Sequence, residues 1–498
     1  MRRSTMRREP TPDPAAQTAD SGQTIHDNHP RLAVTVLCAA GIVVALMQTI
    51  IVPLIPALPT MLHASPGNTL WAITITLLVG AVVTPIGGRL GDMYGKRLML
   101  VLSQASVAIG SVVCAISASL PLFLVGRALQ GLGFGTIALG ISVMRDIVPN
   151  RKLGSSVGAM SASLGVGGAL GLPFAAAIAQ NLSWHTLFWI CAAAATLGGV
   201  GIAYLVPGSP IRTGGRFDIL GALGLALMLA CLLLPLSKGA AWGWTNPLTL
   251  GLLCGFVVVA VIWWFVERRT RNPLIDLELA VERPVLLTNV ASIATGFAFY
   301  SMQLIPIQLL MAPTSSPEGV GLDMLQASLV LAPSGLLMFL FSHISARITA
   351  VFGPRVSLAI GGVVLGCGYV VFLVALVGPW RIQWWLILVV SALIGAGLGI
   401  AYSAMPALIM RAVRVEQTGE ANGVNALMRV VGTSTSAATV GMILTWSTIT
   451  VTGADGAAVP VPGQTGYLWA AAISLAACVL SSCLALAIPS KPIRVEEI

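Results

Sequence analysis

Two arginines lie inside long apolar stretches of the sequence, where a charged side chain needs a partner or a task. Arg127 lies within 121–143, and Arg429 lies within 421–446, nearer to one end. A charge near the centre of a bilayer costs about 2.5–3.5 kcal/mol on insertion scales, so such side chains face the protein interior or a water-filled cavity. Arg127, with the neighbouring Gln130, is therefore a candidate for a functional role. The alternative for Arg127 is a structural role as a hydrogen-bonding hub between helices.

The composition indicates that most of the surface of this chain faces lipid. Of its 498 residues 56% are hydrophobic and 9% are charged, whereas soluble domains carry about 25% charged residues. The eight cysteines and five histidines are scattered without metal-ligand spacing. We therefore expect no metal, no cofactor and no enzyme active site. No basic segment is interleaved with aromatic residues, which argues against nucleic acid as a partner.

Fourteen apolar stretches are long enough to cross a bilayer as helices, each of about 20 residues. They are predicted at 33–57, 68–88, 98–118, 121–143, 155–180, 184–206, 217–237, 247–267, 284–311, 323–346, 356–378, 383–410, 421–446 and 467–489. With the amino terminus in the cytoplasm, 23 of the 27 Lys and Arg fall on the cytoplasmic side and only Lys238 and Arg381 outside. This asymmetry predicts a multi-pass membrane protein with both termini in the cytoplasm. Only 4 of the 27 basic residues are lysine, which favours a GC-rich bacterial source and hence the bacterial cell membrane.

Two loops on the predicted cytoplasmic side repeat one pattern 258 residues apart. Residues 88–97 read GRLGDMYGKR and residues 346–355 read ARITAVFGPR, so Arg, an aliphatic residue and a later aromatic-Gly-x-Arg recur in register. They join spans 2 and 3 and spans 10 and 11, which predicts two parallel six-helix bundles with a substrate site between them. The predicted segments are a disordered tail at 1–30, a first bundle at 31–208, two inserted helices and a linker at 209–283, a second bundle at 284–490 and a tail at 491–498.

Three motifs, in the expected order, resemble those of the major facilitator superfamily. The loop 88–97 is similar to the family signature G-x-L-a-D-r-x-G-r-r, and its residues of interest are Gly88, Arg89, Leu90, Asp92, Gly95 and Arg97. Span 4 carries LVGRALQGLG at 124–133, which resembles the R-x-x-q-G-x-g pattern. Span 5 carries Gly167, Gly171 and Pro173, which resemble the antiporter signature G-x-x-x-G-P. Fourteen spans resemble the drug:proton antiporter subfamily.

The resemblance implies an all-α polytopic fold of two six-helix bundles plus two inserted helices, acting as a monomer in the lipid bilayer. It also implies export of drugs or other amphipathic small molecules by alternating access, in exchange for protons. In that case Arg127 would couple protons or contact the substrate, and Gln130 and Asp146 are further candidates for coupling. The loop at Asp92 would hold the two halves together on the cytoplasmic side. One departure stands out, because Met47 occupies the place of the usual acid in span 1.

Physical reasoning gives several of these residues a task. The Asp92 carboxylate can cap the amino terminus of the next helix, span 3. The glycines of span 5 permit close helix packing, and Pro173 permits a bend. The candidates for contact with a substrate in a central cavity are Met47, Gln48, Thr49, Tyr300, Gln303 and Arg429.

Proton coupling is the least determined feature, because no Asp or Glu lies in the middle of a predicted span. Three explanations stay open: coupling uses Asp92, Asp146 or Glu267 near the cytoplasmic ends, the substrate carries the proton, or transport is not proton-driven. The alternative function is accordingly transport of one specific metabolite or self-made antibiotic. Such a transporter could also be a facilitator that is not coupled to protons.

Overall fold

The computed structural model describes residues 30–51, 54, 58–64, 66–69, 71–208, 214, 216–379, 381–452 and 458–489. The two predicted tails lie outside these residues, except for Pro30, which begins the first helix. The described part contains fourteen helices that are long and apolar enough to cross a membrane, as predicted. These helices, α1 to α14, are Pro30–Thr49, Trp71–Tyr94, Lys96–Ile116, Leu120–Ile147, Asn150–Asn181, His185–Leu205, Ile219–Trp242, Pro247–Arg269, Arg283–Met311, Met324–Phe352, Pro354–Val377, Trp384–Ala412, Thr418–Trp446 and Gln464–Ala487.

Some helix ends differ from the predicted ones. Helix α1 ends at Thr49, although the apolar stretch runs on to residue 57. The sequence has Pro53 and Pro56 in that stretch, and proline lacks the N–H group that a helix interior needs. Helix α13 begins at Thr418, three residues before its predicted start, so Glu420 lies in its first turn. Polar residues at a helix end conceal the boundary from a search for apolar residues alone.

The directions of the packed helices follow from which residues meet. Helices α2 and α13 are antiparallel, since Gly88 lies against Gly419 and Thr84 against Gly423. Helices α5 and α10 are likewise antiparallel, because Gly158 lies against Ser342 and Gly165 against Met338. These two helix pairs join the predicted bundles. We call the end of the molecule where α1 begins and α14 ends the basic face; its assignment to the cytoplasm stays a prediction.

The two inserted helices pack on one side of the junction between the bundles. Helix α7 contacts both α2 and α13, and Ala81, Leu225 and Leu427 share one hydrophobic cluster there. Trp263 of α8 donates from its indole nitrogen to the carbonyl of Gly221 at 2.9 Å, which ties α8 to α7. Much of α8 is exposed and apolar, including Val257, Val258, Val261, Ile262 and Phe265. Such a surface is suited to lipid.

The repeated loops share a glycine with a positive φ and the same kind of anchor. Gly95 has φ 111° and Gly353 has φ 86°, in the region that favours glycine. Arg97 donates to the carbonyl of Ala203 near the end of α6. Arg355 donates to the carbonyl of Ile488 just after α14, at 3.0 Å. In each bundle the loop after the second helix is therefore fastened to the end of the sixth.

A small antiparallel hairpin at the face opposite the basic face was not predicted. Strand β1, Thr448–Thr452, pairs with β2, Ala458–Pro462, so that Thr448 lies opposite Pro462. Alternating Thr, Ile and Val in β1 favour an extended strand. Three short helices, Leu58–Met61, Pro66–Thr69 and Leu277–Val281, and a 3-10 turn at Val415–Gln417 complete the described elements outside the long helices.

Candidate functional site

The Asp92 carboxylate joins the two bundles at the basic face. Its Oδ1 accepts from the backbone N–H of Gly419 at 3.2 Å, and its Oδ2 accepts from that of Glu420 at 2.9 Å. Asp92 therefore caps the amino terminus of α13, where unpaired N–H groups and the helix dipole attract an anion. The predicted cap on span 3 was wrong: the residue before that helix is Gly95, without a side-chain bond. Because α2 stays helical to Tyr94, the carboxylate extends sideways to α13 instead.

Glycine makes this contact possible. A β-carbon added at Gly88 would overlap the carbonyl oxygen of Gly419, and one added at Gly419 would lie 2.6 Å from Asp92 Oδ1. The backbones of α2 and α13 thus touch where the carboxylate caps the helix. Any larger residue at either position would separate the two bundles.

A second carboxylate, on Glu420, extends the contact to a third segment. Glu420 Oε2 accepts from Arg89 Nη1 at 3.2 Å, and Glu420 Oε1 accepts from the backbone N–H of Asp276 at 2.6 Å. Asp276 belongs to the linker after the inserted helices, and its side chain accepts from Gln417 at 3.2 Å. We call the contacts of Asp92, Arg89, Glu420 and Asp276 the latch.

Glu420 was not among the predicted site residues. It lies just before the apolar stretch that defined span 13, in a segment that the sequence presents as a polar loop. One signal was available, since an acid directly after Gly419 fits the first turn of a helix. Its partners could not be predicted, because Arg89 and Asp276 are 331 and 144 residues distant in sequence.

Three further charged side chains lie beside the latch. Lys96 donates to Asp146 at 2.9 Å and lies 3.8 Å from Asp92. Arg145, the residue before Asp146 on α4, donates to the side chain of Thr418 and to the carbonyl of Val413. The structure thus brings Asp146, a coupling candidate, to the same face as the loop motif, separated from Asp92 by one lysine.

Arg127 lies far from the latch and is fully buried in the first bundle. It donates to the carbonyl of Ala72 at 3.0 Å, to that of Met47 at 3.3 Å and to Gln130 Oε1 at 2.6 Å. Gln130 in turn donates to Ser111 at 2.8 Å. The four helices α1 to α4 meet in this network, which has the geometry of a hydrogen-bonding hub. A role of Arg127 and Gln130 in coupling stays a prediction.

The glycine motif of α5 packs against α1. A β-carbon at Gly167 would lie 2.6 Å from Ala45, and one at Gly171 would overlap the hydroxyl of Thr49. Helix α5 continues through Pro173 to Asn181. On its other side Gly165 lies against α10. The small residues of α5 therefore let it contact α1 and, across the junction, α10.

The predicted cavity residues do not lie in one place. Met47 is fully buried in a cluster with Val44 and Phe134, inside the first bundle. Thr49 donates to the carbonyl of Leu46, and Gln48 and Tyr300 are partly exposed. Gln303 borders a small gap at the junction of the two bundles. The residues that share the lining of this gap include Gly165, Ala169, Phe299, Gly335 and Met338. Arg429 lies over the ring of Tyr402.

Comparisons with known proteins identify the family. The sequence profile of the Major Facilitator Superfamily matches residues 37–437. The tetracenomycin C resistance and export protein of Streptomyces glaucescens is 30% identical over 65% of this chain and 60% of its own length. The multidrug resistance protein Stp of Mycobacterium tuberculosis is 24% identical over 88% of this chain and 80% of its own length. The chain spans 62% of the length of further relatives, uncharacterized MFS-type transporters of that species.

A solved structure has the same fold. The human organic anion transporter MFSD10 (TETRAN) superposes with a TM-score of 0.61 over 91% of this chain and 100% of its own, at 16% identity. At that identity the likeness concerns the fold alone. Together with the fourteen membrane-length helices, the profile match shows that this chain belongs to the Major Facilitator Superfamily, a family of membrane transporters.

Proposed function

We propose that this transporter exports drugs or other amphipathic small molecules by alternating access. The observation that carries the mechanism is the latch, which joins the two bundles through a few polar contacts at one face. Such contacts can break and reform within a cycle, because water replaces them when the face opens. The substrate class is supported by relatives named for multidrug resistance and for tetracenomycin C export.

Exchange for protons would use the latch carboxylates. Asp92 is 2% exposed and accepts one N–H bond at each oxygen. A protonated carboxyl group carries no charge and its hydroxyl is a donor, so it would meet an N–H group with the wrong polarity. Protonation of Asp92 therefore favours the open basic face, and closure favours release of the proton. The second carboxylate, Glu420, has the same relation to Arg89 and to the Asp276 amide.

The alternative is a transporter for one metabolite or antibiotic, without protons. It is favoured by the position of the carboxylates, since Asp92, Asp146, Glu267 and Glu420 all lie in end turns of their helices. It is also favoured by the relative whose name specifies a single compound. In this case the latch would still close the basic face, and the substrate gradient would drive the cycle.

The test is accumulation of a panel of fluorescent amphipathic dyes in cells that express the full chain, with and without an uncoupler. We expect lower accumulation than in cells with empty vector, restored to the vector level by the uncoupler. Lower accumulation that the uncoupler does not change would favour transport without protons. Equal accumulation of every dye in both cell lines, at verified expression in the membrane, would contradict the proposal.

A further inference from the structure

Arg429 differs from the other arginine inside the bundles in having no polar partner. Its guanidinium carbon lies 5.1 Å from the centroid of the Tyr402 ring. Within the part of the chain that the structure describes, it forms no hydrogen bond or ion pair. Arg127, by contrast, donates to three oxygen atoms. A guanidinium group has five N–H donors, so Arg429 can bind a ligand that Arg127 could not.

Backbone packing fixes the position of this charge. A β-carbon added at Gly296 of α9 would lie 2.5 Å from the carbonyl oxygen of Arg429, so the two helices touch there. Arg429 lies eleven residues after Thr418, about 16 Å along the helix axis. Its side chain is partly exposed. A positive charge is thus held well inside a membrane-length helix, with part of the residue exposed.

Aromatic rings and an amide continue from this charge towards the first bundle. The Phe299 ring lies 5.9 Å from that of Tyr402, tilted by 57°. Phe299 and Gln303, one turn apart on α9, line the gap at the junction with α5. The order of groups is therefore cation, two aromatic rings and an amide, and it ends where the two bundles meet.

We propose that Arg429 binds the anionic group of the transported molecule, while Tyr402 and Phe299 contact its aromatic part. The ligand class is aromatic amphipaths that carry one carboxylate or a comparable anion. A carboxylate accepts two parallel N–H bonds from a guanidinium. A cationic ligand would be repelled, since among the described residues no carboxylate lies within 4.0 Å of Arg429 to offset its charge. The inference rests on the proposed function and narrows its substrates.

The test uses the purified full chain and three probes that share a 1-naphthylmethyl group and differ in charge: 1-naphthylacetate, 1-naphthylacetamide and 1-naphthylmethylamine. Each Kd is obtained from the rise in melting temperature with probe concentration. We expect the acid to bind about tenfold more tightly than the amide, as one charge-assisted pair predicts, and the amine to bind most weakly. In the Arg429→Gln variant the acid and the amide should bind with equal Kd. Arg381→Gln, the same change in an exposed loop residue, should keep the unaltered preference.

Several results would overturn the inference. They are equal binding of the three probes by the unaltered protein, tightest binding of the amine, no binding of any probe, and an acid preference that survives Arg429→Gln. If that variant does not fold, Arg429→Lys decides, because lysine cannot form the paired N–H bonds and an undiminished preference would contradict the site. If cells export dyes but the purified protein shows no preference for the acid, the proposed export function stands and the proposed anion site is wrong. If cells export no dye, both proposals are wrong.

Discussion

Replacing Asp92 by Asn should open the basic face. The change keeps the shape of the side chain and one oxygen atom, but it removes the charge. The single oxygen of Asn could accept from only one of the two backbone N–H groups at the start of α13, that of Gly419 or that of Glu420. The other would face the new amide NH₂, so two donors would meet. Lys96 would retain its closer partner, Asp146, at 2.9 Å.

The size of the effect follows from these contacts. Loss of one hydrogen bond to a buried charged group costs about 1.5–3 kcal/mol. Loss of the interaction with the helix dipole adds about 0.3–1 kcal/mol. The closed state should therefore lose about 2–4 kcal/mol relative to the open one, a shift of about 30- to 700-fold in the equilibrium.

Distances between spin labels at the exposed positions Tyr94 and Glu416, which flank the latch in different bundles, would measure this shift. We expect the short-distance population of the unaltered protein to be largely replaced by a longer one in Asp92→Asn. Asp323→Asn is the matched control: Asp323 caps α10 on the opposite face, accepting from Gln326 at 2.8 Å, and Asn caps nearly as well. An unchanged distance distribution in Asp92→Asn would refute the assignment of the latch.

Three further predictions concern topology, the second carboxylate and the span 1 departure. A cysteine in place of Thr270 should react with an impermeant reagent only from the cytoplasmic side, and one in place of Arg381 only from outside. The reverse labelling pattern would show that the predicted orientation in the membrane is wrong. Glu420→Gln and Arg89→Gln should each slow transport, and the double variant should be little worse than either, because they remove the same 3.2 Å pair; additive losses would mean separate roles. Met47→Asp should lower the free energy of unfolding, followed by thermal melts, by about 2–5 kcal/mol, since it places a carboxylate in an apolar cluster. Met47→Leu should cost less than about 1.5 kcal/mol. Equal melting temperatures of the two variants would show that residue 47 is in contact with water and not buried.

The number and order of the helices were predictable because each crossing needs its own apolar stretch. The repeated loops were predictable too, because both copies carry a glycine at the same place in the pattern. In the structure Gly95 and Gly353 both have a positive φ, which favours glycine over other residues. The unpredicted features are those that arise between distant segments. The target of Asp92 is a helix start 327 residues away, and no local pattern specifies it.

The same reason explains the different surroundings of the two intramembrane arginines. In sequence Arg127 and Arg429 look alike, each without an acid within one helical turn. Only the packing of α1, α2 and α4 provides carbonyl oxygens for Arg127, and only the approach of α12 places an aromatic ring beside Arg429. Sequence reasoning could therefore identify which residues need an explanation, but could not identify the groups that surround each of them.

A disulfide across the junction tests whether the two bundles separate and rejoin at the basic face during transport. A β-carbon at Gly154 of α5 would lie 3.8 Å from that of Ala346 on α10, the mean separation in disulfides. In a background without the eight native cysteines, Gly154→Cys with Ala346→Cys should lose dye transport on oxidation and regain it on reduction. The matched control is Gly366→Cys with Cys478 retained, which links α11 to α14 within one bundle across 3.6 Å and should transport in both states. Undiminished transport by the fully oxidised Gly154→Cys, Ala346→Cys protein would show that the bundles do not separate at the basic face during transport.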